Sequence, residues 1–94
     1  MKLISIKPST RADKKLTAIF LSDSGSTIIH FGSKGSKTFL DHLDEVKKQN
    51  YIKRHQVREN WDDPLTPGSL SRYVLWNKPT MEASITDYKK RFKL

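Results

Sequence analysis

Apolar and polar side chains alternate along the first third of the chain with the period of two that is typical of β-strands. The alternation predicts three strands, at about residues 2–7, 15–21 and 27–31. Residues 22–26 between the last two strands read SDSGS, and Gly25 is free to take the positive φ that a hairpin turn needs. We therefore expect an antiparallel meander with Ile29 and Phe31 on its inner face.

Beyond this region the apolar residues recur with the helical period of 3.6. The pattern predicts three helices, at about residues 38–57, 67–76 and 80–92. The apolar face of the first helix consists of Phe39, Leu40, Leu43 and Val46. Thr66 before Pro67, and Thr80, are typical N-caps for the other two helices. The predicted fold class is α+β, a three-stranded antiparallel sheet followed by three helices, in a single domain of residues 1–94.

The charge balance indicates a class of partner. Eighteen Lys and Arg residues against ten Asp and Glu give a net charge of +8, and the pI is about 9.9. A pI above about 9 in one small domain is typical of proteins that bind polyanions. A soluble basic protein without a nucleic-acid role is the alternative, because net charge alone acts on solubility and encounter rates.

Two absences in the sequence narrow the function classes. The chain has no cysteine, which excludes a disulfide framework, a cysteine-based zinc site and thiol catalysis. The start, MKLISIKPS, has too few consecutive apolar residues for a signal peptide or a membrane span. We therefore expect a protein that is not secreted and has no membrane partner.

The segment HFGSKGSKT, residues 30–38, leaves a strand and enters a helix with two glycines and two lysines. Backbone amides and a helix N-terminus can bind phosphate at such a place, and Lys34 and Lys37 favour this interpretation. The spacing is not that of a P-loop, so nucleotide hydrolysis gains no support. The alternative is a flexible connector in which Ser36 or Thr38 caps the helix.

The three histidines, His30, His42 and His55, invite a metal or nuclease interpretation that their spacing does not support. His42 and Asp41 are adjacent, and on a helix they point about 100° apart and cannot share a metal ion. No metal-ligand or nucleophile motif is present. We therefore expect a non-enzyme with no metal and no cofactor, and a metallonuclease of the histidine–asparagine–histidine kind is the weaker alternative.

Cations follow one face of the first predicted helix. That stripe contains Lys47, Tyr51, Arg54 and Arg58, and it is flanked by Lys48, Lys53 and His55. No acidic residue interrupts it, so it is suited to following a phosphate backbone. The alternative is a solvated helix face with Tyr51 packed inward. Trp61 lies in the acidic stretch after this helix, in a break between two predicted helices. For its side chain we favour the role of a buried anchor over that of a platform on which bases stack.

Three stretches resemble a family of small basic proteins of unknown function. They are FGSKGSKTFLDH, then YIKRHQVRENWDDPLTPGSLSRYVLWNKPT, then SITDYKKRF, and together they cover roughly residues 28–92. Large double-stranded DNA viruses of amoebae and algae, the marseilleviruses among them, encode members of the family. The resemblance implies a viral context, a virion component or a factor in the infected cell, and it implies no catalytic activity. Its unit RH…ENW could also be structural, with Asn60 and Asp62 satisfying the backbone and Trp61 pinning the second helix against the sheet.

The function we predict is sequence-tolerant binding of nucleic acid, DNA favoured over RNA, by a non-catalytic homodimer. The residues expected to bind are Lys34, Lys37, Lys47, Lys48, Tyr51, Lys53, Arg54, His55, Arg58, Lys89, Lys90 and Arg91. The alternative is a homodimeric interaction module of the virion or of the infected host cell that docks an acidic protein surface. Its structural or interface residues would be Asn60, Trp61, Asp62, Tyr73, Trp76 and Phe92.

Overall fold

The three predicted strands form one antiparallel sheet in the computed structural model, which describes all 94 residues. The strands are β1 (Lys2–Pro8), β2 (Lys14–Ser22) and β3 (Gly25–Ser33), in the order β1-β2-β3. Ser22 pairs with Gly25 at the hairpin, where Gly25 has a φ of +126° that only glycine takes without strain. The predicted α+β fold class and its meander are confirmed.

One face of the sheet carries the core. Phe20 pairs with Leu3 on one side, and Leu16 pairs with Phe31 on the other, so their side chains share the inner face. A bulge at Ile4 shifts the register of β1 and leaves Ile4 exposed. The helices cover the inner face with four fully or almost fully buried residues, Leu70, Val74, Leu75 and Tyr88.

The single helix predicted over residues 38–57 is wrong, because the chain forms two helices there. They are α1 (Phe39–His42) and α2 (Glu45–His55). Leu43 takes a left-handed conformation with φ +53°, and the Asp44 carboxylate then accepts hydrogen bonds from the first amides of α2. Aspartate is favoured at an N-cap and disfavoured inside a helix, because its short carboxylate accepts hydrogen bonds from nearby backbone amides. The expected apolar face is lost with the break, since Leu43 and Val46 are 54% and 69% exposed.

The second predicted helix begins as expected and then changes its winding. Thr66 caps α3 (Pro67–Leu70), because its Oγ1 accepts a hydrogen bond from the Ser69 amide at 3.1 Å. The chain continues as a π-helical segment, Ser71–Leu75, in which the Trp76 amide donates to the carbonyl of Ser71, five residues earlier. Such wider turns are rare and often lie at functional sites. This one sets the position of Trp76 at its end.

The last helix, α4 (Met81–Phe92), begins at the predicted cap, where Thr80 Oγ1 accepts from the Ala83 amide at 3.1 Å. Ser84 and Tyr88 are its fully buried residues, and the ring of Tyr88 contacts Phe20 of the sheet. The Tyr88 hydroxyl donates a hydrogen bond to the carbonyl of Pro64, which ties α4 to the loop before α3. None of the helices is long and apolar enough to span a bilayer.

Two carboxylates should make the fold labile in acid. The Thr38 backbone amide donates to the Asp41 carboxylate and lowers its pKa from 3.8. Burial would raise the pKa of Asp87, but a hydrogen bond from Asn77 and the charge of Arg91 outweigh burial and lower it. A carboxyl group whose pKa is lower in the folded state than in the unfolded state stabilises the fold at pH values above the unfolded-state pKa of about 3.9. This stabilisation is lost as the pH falls through the folded-state pKa.

We therefore expect the melting temperature to fall steeply below about pH 4. The double variant D41N/D87N should start lower at about pH 6 and lose less than the wild type on going to about pH 2.5. Circular dichroism melts of both proteins across that range measure the difference. Parallel pH profiles in the two proteins would contradict this origin of the acid lability.

Candidate functional site

Four aromatic rings from three parts of the chain pack into one series, which we call the aromatic stack. Its members, in order of contact, are His42, Trp76, Tyr51 and His55. The rings of Tyr51 and Trp76 are parallel within 4°, with centroids 4.4 Å apart, and the His55 ring stacks on Tyr51 at 4.2 Å. The stack fixes α2 against the end of the π-helical segment, at a typical gain of about 1 kcal/mol per ring pair.

Tyr51 is therefore not on the exposed cationic stripe where the sequence placed it. Its side chain is buried, and burial raises its pKa to about 12, so the hydroxyl stays neutral in ordinary buffers. The stripe itself is also shorter than expected, because α2 ends at His55 and Arg58 lies in the turn beyond it. Its ring packs beneath the exposed surface instead of standing on it.

A cleft of about 280 Å³ opens beside the stack, and we call it the outer cleft. Its walls are Lys37, His42, Lys47, Asn50, Arg54 and Trp76. Lys47, Asn50 and Arg54 stand on one face of α2, three and four residues apart, while Lys37 reaches it from the loop after β3. Three cations therefore converge with no carboxylate in the lining. This arrangement concentrates positive potential, which attracts anions.

A second cavity of about 350 Å³ lies on the other side of Lys37 and Trp76, which line both spaces. We call it the inner cavity. It is bounded by the end of the sheet, the loop from Ser33 to Thr38, α2 and the start of α3. Its lining offers hydroxyls and charges of both signs together with ring surface, from Lys14, Ser33, Ser36, Lys37, Tyr51, His55, Glu59, Ser71 and Trp76.

The carboxylate of Glu59 has a fixed place in the inner cavity. Its Oε1 lies 3.5 Å from Nδ1 of His55. Its Oε2 occupies the space beside Gly68, where an added Cβ would lie only 1.6 Å away. Gly68 therefore provides the room in which Glu59 approaches α3 and His55 together. No local pattern predicts this contact, since Glu59 and Gly68 lie in different segments.

Lys48, predicted to bind nucleic acid, is occupied inside the fold. Its Nζ donates to the carbonyl of Asn77 at 3.1 Å, pairs with Glu45 at 3.2 Å and lies 4.4 Å from the centroid of the Phe39 ring. Its side chain is only 17% exposed. Lys48 thus ties α2 to the end of the π-helical segment, and its charge is not available to a ligand in this arrangement.

The other predicted cations are spread over the surface. Lys34, Lys53, Arg58, Lys89 and Lys90 are exposed and line neither the outer cleft nor the inner cavity. Arg91 lies over the Tyr73 ring at 4.2 Å and within 3.4 Å of Asp87. Of the predicted binding residues, the fold brings together Lys37, Lys47 and Arg54, with His55 facing the inner cavity.

The segment after α2 forms a hydrogen-bonded corner. Asn60 Oδ1 accepts from the Asp62 amide at 3.1 Å, and Asp63, where the sequence suggested Asp62, accepts from the Leu65 amide at 2.9 Å. The Trp61 ring packs edge-on against Tyr73 of the π-helical segment. Nε1 of Trp61 is buried without a hydrogen-bond partner. Trp61 thus connects the corner to the π-helical segment.

The aromatic residues expected at an exposed interface are partly buried instead. Tyr73 and Phe92 contact each other with ring centroids 5.8 Å apart, and Trp76 belongs to the aromatic stack. Arg72, which no sequence pattern singled out, donates to the Trp76 carbonyl at 2.6 Å and lies over the Trp61 and Tyr73 rings. Burial lowers the pKa of Arg72. These three aromatic residues therefore do not form one continuous exposed patch.

The fold gathers no three histidine, aspartate or glutamate side chains closely enough to hold a metal ion. His30 is bonded through Nδ1 to the hydroxyls of Ser9 and Thr17 at 2.9 and 2.8 Å. His42 accepts from the Asp44 amide at 3.0 Å and lines the outer cleft. The three histidines thus occupy separate surroundings.

These features define a small basic α+β domain with a carboxylate-free cationic cleft beside an aromatic stack. The chain belongs to DUF5754, a family of unknown function, whose family model matches residues 4–55, more than half of the chain. The matched residues include nearly all of the three strands and end with α2. The resemblance described above covers roughly residues 28–92, so β1 and β2 lie outside it. Membership of a family of unknown function is thereby confirmed. No curated protein and no solved structure matches the chain.

Proposed function

We propose that the protein binds nucleic acid, DNA in preference to RNA, through the phosphate backbone and without catalysis. The observation that carries the proposal is the outer cleft, where Lys37, Lys47 and Arg54 converge without a carboxylate. Such contacts attract any sequence equally, because every nucleotide presents the same phosphate.

The spacing of these cations suits a polyanion better than a single small anion. Lys47 and Arg54 are seven residues apart on α2, so they are separated by about 10 Å along the helix axis. One strand of B-DNA carries a charge about every 3.4 Å of axis, so this span reaches more than one phosphate. Lys37 adds a third contact from the loop across the cleft.

The test compares two double variants that each remove two positive charges. K47A/R54A removes both cations from the α2 side of the outer cleft, whereas K2A/K7A removes two exposed lysines from β1. Fluorescence anisotropy with a labelled random-sequence duplex at low salt should show about tenfold weaker binding for K47A/R54A, because two phosphate contacts are lost. K2A/K7A should stay within about threefold of the wild type. Equal losses in the two variants would contradict a localised site.

A second candidate function is a homodimeric interaction module, and the outer face of the sheet favours it. Ile19 pairs with Ile28 on this face, and Leu21 lies next to them along β2. Ile28 and Leu21 are 58% and 50% exposed, which is unusual for large apolar side chains standing side by side. Analytical ultracentrifugation measures the mass in solution. A dimer that I28K dissociates supports the homodimer, which the sequence analysis predicts under both functions, and a monomer at all concentrations rules the homodimer out. A dimer that binds no DNA would favour the interaction module.

The viral context is part of the same proposal and rests on the sequence resemblance. The protein would then occur in the virion or in the infected host cell, in the cytoplasmic virus factory or in the nucleus. An antibody against the protein can be applied to purified virions and to fractions of infected cells. Absence of the protein from all of them would overturn the assignment.

A further inference from the structure

The outer cleft and the inner cavity are neighbours with a common wall. Lys37 and Trp76 line both, and no other residue does. We propose that the ligand is a single strand, with its phosphates in the outer cleft and one nucleoside in the inner cavity. The inference rests on the proposed function and adds to it a preference for single strands over duplexes.

The size of the inner cavity fits one nucleoside. Its volume of about 350 Å³ is at the lower end of the range of small-ligand sites, about 300–1,000 Å³. A base in a duplex is stacked and paired, and it can enter such a space only after extrusion, which costs the stacking and pairing free energy. A base in a single strand enters without most of that cost. The cavity therefore discriminates between the two forms of the same sequence.

The linings of the two spaces differ in a way that orients a nucleotide. The outer cleft has cations and no carboxylate, so it favours phosphate. The inner cavity contains the Glu59 carboxylate beside Lys14 and Lys37, and this carboxylate can accept a hydrogen bond from an exocyclic amino group of a base. Tyr51, His55 and Trp76 of the aromatic stack border this space and supply apolar ring surface that a base can contact.

The inner cavity is preformed, which lowers the entropy cost of binding. Its loop wall is held by the Ser36 hydroxyl, which donates to the carbonyl of Ser33 at 2.8 Å, and by Lys15 Nζ, which donates to the carbonyl of Ser36 at 2.8 Å. On the opposite wall, Glu59 is held between His55 and Gly68. The polar groups that would meet a base are thus already in place.

The test measures the affinity for a short labelled DNA strand of mixed sequence and for the duplex of the same sequence. The wild type should bind the strand at least about tenfold more tightly than the duplex, since a base of the strand enters the inner cavity without being extruded from a duplex. S71L fills the inner cavity from the helix side and should remove the preference without weakening duplex binding. S71A, which leaves the space open, is its matched control and should keep the preference.

A second filling variant, S33F, comes from the exposed end of β3 and protects the test against misfolding of S71L. It leaves in place the Ser36 hydroxyl, which holds the loop wall. Circular dichroism melts show which variants are folded, and only those are compared. If strand and duplex bind equally to the wild type, the inference is wrong and the proposed function stands. The same holds if folded S71L or S33F keeps the preference. If neither DNA binds, the proposed function fails, and the inference fails with it.

Discussion

Replacing Tyr88 with alanine should destabilise the fold by about 3–5 kcal/mol, the usual range when a large buried ring is deleted. The Tyr88 side chain is fully buried and contacts the rings of Phe20 and Phe92. Its hydroxyl also holds the carbonyl of Pro64, so the change leaves an empty space and an unpaired acceptor. Small domains are stable by roughly 5–15 kcal/mol, so this variant should be close to unfolded at body temperature.

The conservative variant Y88F separates packing from hydrogen bonding. It keeps the ring contacts and loses only the hydrogen bond to Pro64, so we expect a loss of about 1–2 kcal/mol. Urea unfolding followed by circular dichroism measures both variants. A Y88A protein within about 1 kcal/mol of the wild type would show that α4 is not part of the core described here.

Replacing Lys48 with alanine should lower stability by about 2 kcal/mol, which corresponds to about 8–16 °C in melting temperature for a domain of this size. The loss has three sources, since Nζ of Lys48 bonds the Asn77 carbonyl, pairs with Glu45 and lies over the Phe39 ring. Hydrogen bonds from charged groups contribute more than neutral ones, and the stem of Lys48 is mostly buried.

The neighbouring Lys47 provides a matched control with the opposite expectation. It is exposed in the outer cleft and forms no ion pair within the protein, so K47A should change stability by no more than about 0.5 kcal/mol. Its nucleic-acid affinity should fall instead, whereas K48A, measured well below its melting temperature, should bind like the wild type. Weaker binding by folded K48A would mean that Lys48 leaves its site to contact the ligand.

Local patterns in the sequence were sufficient for the sheet and for two of the helix starts. Alternation placed β1 to β3 within about two residues of their observed bounds. Thr66 with Pro67, and Thr80, cap helices where expected, because capping depends only on residues a few positions away. The break at Leu43 was missed because a periodic apolar pattern was given more weight than the capping strength of Asp44.

The candidate site depends on contacts between distant segments, and these are not written in any local pattern. Lys37, Lys47 and Arg54 were each singled out for their charge, but only the fold shows that they share one cleft. Tyr51 was assigned to the exposed stripe because one long helix was predicted, with Leu43 and Val46 on its buried face. In the structure Leu43 and Val46 are exposed, and Tyr51 is buried. Trp76 was singled out only as a structural or interface residue, but the fold shows that it lines both spaces.

The most direct test of nucleic-acid binding at the outer cleft is a salt titration with a random-sequence duplex. Wild type and K47A/R54A are measured in parallel, with protein of known oligomeric state. The account predicts that log K falls linearly with log salt for both, and that the slope for K47A/R54A is shallower by about two, one unit for each lost phosphate contact. No binding at low salt, or the same slope for both proteins, would contradict it.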